Sequence, residues 1–131
     1  MEAVGIQNVK FRQADILALP FDTDTFDHVF VCFVLEHLPH PVEALQALEN
    51  ILKPGGTITV IEGDHGSAFF HPRSDAARRA IDCLVELQRR EGGDALIVRR
   101  LYPLLKTAYF ESVSVSPRFV YADASRPQMV D

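Results

Sequence analysis

The chain has 131 residues, 47% of them hydrophobic and 24% charged, which favours one folded domain and excludes a mainly disordered chain. A formal net charge of −5 argues against a nucleic-acid partner, since phosphate backbones attract basic surfaces. The longest apolar run, residues 29–35, is far below the roughly 20 residues of a membrane helix, and the amino terminus does not resemble a secretory signal. We therefore expect a cytoplasmic protein with no membrane partner.

The first half of the sequence alternates between strand and helix patterns. Residues 8–14 alternate apolar and polar side chains, which predicts a strand. Residues 26–34 are almost continuously apolar, as expected of a central strand covered on both faces of a parallel sheet. Apolar positions spaced by three and four predict a helix over residues 41–52. The proline and glycines of residues 53–56 end that helix before a strand over residues 57–62.

The second half begins with a longer helix over residues 74–91, which ends at a pair of glycines. One stripe of this helix runs from Ala77 to Gln88, and all of its residues except Gln88 are apolar. A shorter helix over residues 100–108 and a last strand over residues 111–121 follow. Because strands separated by helices form right-handed crossovers, the pattern predicts an α/β fold with a parallel sheet and flanking helices.

Polar residues follow three of the predicted strands, and in parallel α/β sheets ligands bind beyond the carboxyl ends of the strands. After the first strand, the Asp15 carboxylate can accept a hydrogen bond from an exocyclic amine, while the N–H of Ile16 can donate to a ring nitrogen. Together these two residues would recognise an adenine. The alternative is that Asp15 caps the turn that follows it.

The two other loops carry histidines beside acids. Glu36 and His37 follow the apolar strand and suit either general acid/base catalysis or structural hydrogen bonding. The loop after the next strand holds Glu62, Asp64 and His65, which suit contact with a substrate. With His37 they would also offer the ligands of a metal-dependent hydrolase, but no spacing matches an established zinc signature, so we assign no metal site.

Four strings of residues occur in a fixed order: Ala-Asp-Ile at 14–16, Phe-Asp-His-Val-Phe at 26–30, Val-Leu-Glu-His-Leu at 34–38 and Leu-Lys-Pro-Gly-Gly at 52–56. This order resembles the middle of a class I S-adenosylmethionine-dependent methyltransferase, of the methyltransferase type 11, ubiquinone-biosynthesis-like group. The resemblance implies a partial Rossmann-like parallel sheet with flanking helices, an incomplete class I methyltransferase fold. It also implies S-adenosylmethionine as the cofactor.

The resemblance further implies roles for five residues. It places four of them against the cofactor: Asp15 and Ile16 at the adenine, and Cys32 and Phe33 at the methionine end. The fifth, His37, matches a histidine often seen just beyond these positions. From the position of their loops, we expect His37 and His65 to be catalytic residues near the methyl acceptor, and Glu62 and Asp64 to contact the substrate.

Members of this family carry an acidic-Gly-x-Gly-x-Gly loop ahead of such a region, whereas residues 1–7 hold only Gly5. We therefore expect a carboxyl-terminal portion of an enzyme that forms a single truncated domain over residues 1–131. Its expected parts are residues 8–72 as the core of the sheet on the cofactor side, residues 73–108 as a helical cap, and residues 109–131 as a last strand and tail.

Two functions remain open beside the hydrolase. The parent enzyme would transfer a methyl group to a small-molecule acceptor, with the isolated chain inactive and binding the cofactor weakly or not at all. The alternative is a non-catalytic binding or dimerisation module derived from this fold. In the family's sheet, the two strands expected to be missing here lie between the strand that ends at residue 15 and the strand that begins near residue 26. We expect these two strands to pair directly, or a homodimer to complete the sheet through its unpaired edges.

Overall fold

A computed structural model describes residues 8–126. Within them the chain forms two strands and three α-helices: β1 (Phe26–Cys32), α1 (Pro41–Asn50), β2 (Leu52–Ile61), α2 (Asp75–Arg90) and α3 (Leu101–Thr107). Short 3₁₀ turns lie at Leu35–His37, His65–Ser67 and Ile97–Arg100. The alternation of strand and helix confirms the predicted α/β class.

The two strands lie side by side and run parallel, with α1 in the connection between them. Val31 lies opposite Val60, and the register is irregular between Phe26 and His28. Parallel neighbours need such a crossover because the end of one strand and the start of the next lie at opposite edges of the sheet. The pair and its helices confirm the predicted parallel sheet with flanking helices, a partial Rossmann-like arrangement.

The hydrophobic core lies on one face of this sheet. Buried side chains come from β1, α1, α3 and the 3₁₀ turns: Val31, Leu35, Leu45, Leu48, Ile97, Leu101 and Leu105. On the opposite face, Phe30 is 60% exposed and Ile61 is 44% exposed. The prediction that the strand at 26–34 is covered on both faces is therefore wrong for the described residues. Its cause is that α1 and α3 both pack on the side of Val31.

Two predicted strands are absent from the sheet of the described residues. Residues 8–14 and 111–121 have no neighbouring strand there, and Phe11 and Phe119 are largely exposed. An alternating pattern favours an extended backbone, but a strand also needs a neighbour that takes its N–H and C=O groups. The direct pairing expected between the segment before residue 15 and β1 is also not observed.

The helices follow the predictions more closely. α1 ends at Asn50, and β2 begins soon after, at Leu52, so the proline and glycines lie inside the strand rather than in a separate turn. Gly55 has a φ of +79° there, a conformation that glycine adopts without strain. α2 begins after Ser74, whose hydroxyl accepts the N–H of Ala77 and so caps the helix. None of the helices in the described part is long and apolar enough to cross a membrane.

Candidate functional site

The carboxyl ends of β1 and β2 are neighbours, which brings two loops together. Phe33 extends the strand pairing by one bond, its N–H donating to the C=O of Ile61 at 2.8 Å, and then turns the chain with a φ of +53°. A positive φ is unusual for phenylalanine and persists only where the surrounding structure imposes it. The chain then enters the 3₁₀ turn Leu35–His37, which contacts the loop of residues 62–67.

Glu62 joins these two loops. It is buried, and its carboxylate accepts the N–H groups of Val34 at 3.1 Å, Leu35 at 2.9 Å and Glu36 at 3.3 Å. A buried carboxylate loses its hydrogen bonds to water at a high cost in free energy, and these three N–H donors take the place of that water. The contacts favour a structural role for Glu62, and its predicted contact with a substrate stays a prediction.

Glu36 is the centre of the site. It is 4% exposed, and each of its carboxylate oxygens faces one histidine. Oε1 lies 3.3 Å from His37 Nε2, and Oε2 lies 3.2 Å from His65 Nε2. We call Glu36, His37 and His65 the Glu36 cluster. The two histidines predicted to be catalytic therefore share one buried carboxylate, although they come from different loops.

The hydrogen bonds around the Glu36 cluster assign a proton to each ring. Gln88 of α2 donates through Nε2 to the C=O of Glu36 at 2.9 Å and lies 3.4 Å from His37 Nδ1. An amide nitrogen only donates, so Nδ1 accepts and the proton of a neutral His37 lies on Nε2, facing Glu36. An ionised carboxylate only accepts, so His65 also carries its proton on Nε2. A neutral His65 then keeps a lone pair on Nδ1.

A second carboxylate, Asp64, fixes the 62–67 loop. Arg99 donates to it through Nε at 2.9 Å and Nη2 at 3.0 Å, and the N–H of Gly66 and the hydroxyl of Ser67 donate to it as well. The hydrogen-bonded guanidinium of Arg99 holds the pKa of Asp64 below its usual value. Both oxygens are therefore in use, and the predicted contact of Asp64 with a methyl acceptor stays a prediction.

Three of the four residues predicted to hold the cofactor are exposed. Asp15 Oδ1 accepts the N–H of Leu17 at 2.9 Å, so the capping alternative describes this turn. Ile16 is partly buried and packs against the core. Cys32 is exposed, and Phe33 is 53% exposed. No hydrogen bond among residues 8–126 joins Asp15 to the Glu36 cluster, and the adenine contact stays a prediction.

A cavity of about 360 Å³ lies close to the 62–67 loop. It is lined by aromatic, polar and charged side chains: Phe69, Phe70, Arg73, Ser74, Asp75 and Arg78. Arg78 joins this cavity to the loop, because its guanidinium donates to the C=O groups of Gly66 and Ala68. No member of the Glu36 cluster lines it. Within residues 8–126, no group of three or more His, Cys, Asp or Glu side chains is arranged to hold a metal ion.

Two residues of this site were missed from the sequence. Gln88 is the only polar member of the predicted stripe on the helix at 74–91, and that position was a usable signal for an inward hydrogen-bonding group. Arg99 had no comparable signal, because its partner Asp64 lies 35 residues away and the pairing depends on how the loops fold.

Comparisons with known proteins agree on one family. A family model described as a methyltransferase domain matches residues 2–60. The ubiquinone/menaquinone biosynthesis C-methyltransferase UbiE of a Marinomonas species is 38% identical over 77 residues, which are 59% of this chain and 28% of that protein. A methyltransferase of Schizosaccharomyces pombe is 44% identical over 68 residues, 52% of this chain and 24% of that protein. A demethylmenaquinone methyltransferase of Staphylococcus epidermidis is 33% identical over 61 residues, 47% of this chain and 25% of that protein. The matched stretch thus spans about a quarter of each relative.

Proposed function

Because this chain belongs, through residues 2–60, to the class I S-adenosylmethionine-dependent methyltransferases of the type 11, ubiquinone-biosynthesis-like group, we propose that it is part of an enzyme that methylates a small molecule. The observation that carries the proposal is the Glu36 cluster, a buried carboxylate with two histidines at the carboxyl ends of the strands. Relatives named as ubiquinone/menaquinone biosynthesis C-methyltransferases support a quinone precursor that is methylated on carbon as the acceptor.

The four residues predicted to hold the cofactor fit S-adenosylmethionine in their chemistry. Cys32, the last residue of β1, and Phe33 after it offer accessible apolar surface. The exposed Asp15 carboxylate suits an exocyclic amine, and Ile16 beside it suits apolar contact. We propose that these four residues hold the cofactor, whose sulfonium supplies an activated methyl group when bound. The sequence holds no Gly-x-Gly-x-Gly string, so we expect weak binding by this chain.

His65 is the proposed proton acceptor. A carbon or oxygen atom that gains a methyl group must lose a proton. The lone pair on His65 Nδ1 can accept this proton at the carboxyl ends of the strands. Glu36 holds the ring through Nε2–H and stabilises the imidazolium that forms when Nδ1 takes the proton. His37 Nε2 lies 3.3 Å from the other Glu36 oxygen, so both histidines face the same carboxylate.

A second candidate function is a non-catalytic binding or dimerisation module. It is supported by the uncovered face of the sheet, where Phe30, Cys32 and Ile61 are exposed. The outer edges of the two-stranded sheet are also without a partner strand among the described residues. Exposed apolar faces and open strand edges favour association with another chain. We propose a second copy of this chain as that partner.

We also propose a cytoplasmic location. Cys32 and Cys83 are free and exposed, which suits a reducing compartment better than an oxidising one. Alkylation of the protein in freshly lysed cells should modify both thiols. A disulfide that joins either cysteine in the cell would contradict this location.

Titration of the chain with S-adenosylhomocysteine, followed by calorimetry and by amide NMR shifts, tests the methyltransferase proposal. We expect a dissociation constant on the order of 1 mM, about −4 kcal/mol, with shifts concentrated at residues 15–16 and 32–33. Asp15→Ala should remove most of the heat, whereas Asp22→Ala, in the exposed turn that follows, should leave it unchanged. Absence of binding at several times this concentration would remove the cofactor role and leave the second candidate function.

A further inference from the structure

The segment of residues 93–99 contacts the backbone of Glu36. The N–H of Asp94 donates to the C=O of Glu36 at 2.8 Å. Gly93 approaches the same oxygen so closely that a Cβ atom built on it would lie 2.4 Å away, a distance that real Cβ atoms do not show. Glycine is therefore required at position 93 for Glu36 and this segment to come together.

The same segment also contacts the loop that carries His65. The N–H of His65 donates to the C=O of Ala95 at 3.1 Å, and Arg99 binds Asp64 through two nitrogens. A Cβ atom on Gly66 would lie 2.9 Å from Arg99 Nη2 and 2.8 Å from a side-chain carbon of Leu96, so the loop packs tightly against the segment. Residues 93–99 thus hold both partners of the Glu36 to His65 hydrogen bond, and we call them the bracket segment.

The bracket segment is itself anchored in the core. Ala95 and Ile97 are 1% and 0% exposed, and Leu101, the first residue of α3, is buried behind them. The guanidinium of Arg100 binds the Asp94 carboxylate and closes the segment on itself. Because Ala95 and Ile97 are fixed in the core, the fold sets the backbone position from which the Arg99 side chain reaches Asp64.

We infer that the bracket segment sets the distance between Glu36 and His65, and that Arg99 is a positioning residue that keeps the His65 ring on Glu36 by binding Asp64. Its catalytic meaning rests on the proposed role of His65 as proton acceptor. The contact itself is independent of that role. Removal of the guanidinium takes two hydrogen bonds from Asp64 and leaves the turn held by its own bonds to Asp64 and by the His65 N–H, so that the His65 imidazole can leave the carboxylate.

Long-range proton–nitrogen NMR correlations of the histidine rings in the full chain test this inference. In the unaltered chain, the His65 ring should show a single tautomer with the proton on Nε2. In Arg99→Gln, the signals of the two His65 ring nitrogens should move towards the averaged signals of the exposed His40. Arg99→Lys should restore part of the difference, because an ammonium keeps the charge but not the paired hydrogen bonds.

Arg90→Gln is the matched control, since Arg90 binds Glu86 through Nε at 2.8 Å on the exposed side of α2 and does not contact the 62–67 loop. It should leave the His65 signals unchanged. Unchanged signals in Arg99→Gln, or equal shifts in Arg90→Gln, would overturn the inference. So would an Arg99→Gln variant and an Asp64→Asn variant that both fail to fold, because Arg99 would then be a structural residue. These signals are read without cofactor, so failure of S-adenosylhomocysteine to bind leaves this test intact.

Discussion

The two faces of the β1–β2 sheet differ in how far the rest of the chain covers them. On one face, Val31 packs against α1 and α3, and the loops that follow the strands place Glu36 and Glu62 among hydrogen-bond donors. On the other face, Phe30 and Ile61 remain exposed. Within the described residues, the chain therefore completes a buried carboxylate cluster by itself but leaves one face of its sheet open.

We call the covered face of the sheet, with the loops that follow its strands, the closed side, and the exposed face the open side. The largest expected effect is on the closed side. Glu62→Ala leaves three N–H groups without their acceptor in a buried place, and we expect the free energy of unfolding to fall by about 3 kcal/mol or more. Urea unfolding followed by circular dichroism measures it. Glu43→Ala on the exposed side of α1 is the control and should change stability by less than about 0.5 kcal/mol. Equal effects of the two substitutions would mean that the closed side is not as tightly built as its hydrogen bonds indicate.

The next effect tests the close approach of the bracket segment. Gly93→Ala places a methyl group against the C=O of Glu36, and we expect a loss of about 2–3 kcal/mol in the same unfolding measurement. Gly55→Ala meets open space but has a positive φ, so it should cost about 1 kcal/mol from backbone strain alone. A smaller loss for Gly93→Ala than for Gly55→Ala would contradict the tight contact.

The open side is tested by self-association. If a second copy covers this face, Phe30→Glu should raise the dimer dissociation constant about tenfold or more, close to 1.4 kcal/mol, because it places a charge in an apolar interface. Sedimentation over a range of concentrations measures it. Thr107→Glu, at the exposed end of α3 and away from the sheet, is the control. A monomer at every concentration would remove the homodimer proposal.

The smallest expected effect is on the stability of the fold at low pH. Arg99 lowers the pKa of Asp64 in the folded chain below the 3.8 of the free side chain, so the pair stabilises the fold above that pH. The stabilisation should disappear as the pH falls from about 4 through the lowered pKa. The reason is that the unfolded state binds the Asp64 proton at a higher pH than the folded state does. The difference in unfolding free energy between the unaltered chain and Arg99→Gln should be constant near pH 7 and shrink in acid. A difference that grows in acid would reverse the assigned cause.

Part of the candidate site was predictable from the order of strands along the chain. Parallel strands end at one edge, so His37 and His65, which each follow a strand, were expected at a common place, and both contact Glu36 there. The polar position of Gln88 in an apolar stripe indicated an inward hydrogen-bonding group, but not that its partner would be Glu36. The contribution of Arg99 was not predictable, because it reaches the site from a segment distant in sequence.

The amino-acid sequence by itself determined the alternation of strands and helices, the bounds of α2 and the parallel pairing, because these depend on local periodicity and caps. Its short strings of residues indicated the resemblance to methyltransferases, which the match over residues 2–60 supports. Tertiary structure alone decided which predicted strands found a partner, which face of β1 was covered, and which acids became structural. Residues 8–14 and 111–121 carry a strand pattern but lack a neighbouring strand in the described part, and Glu62 accepts three backbone N–H groups. Such outcomes depend on which groups meet in space, and spacing along the chain does not specify that.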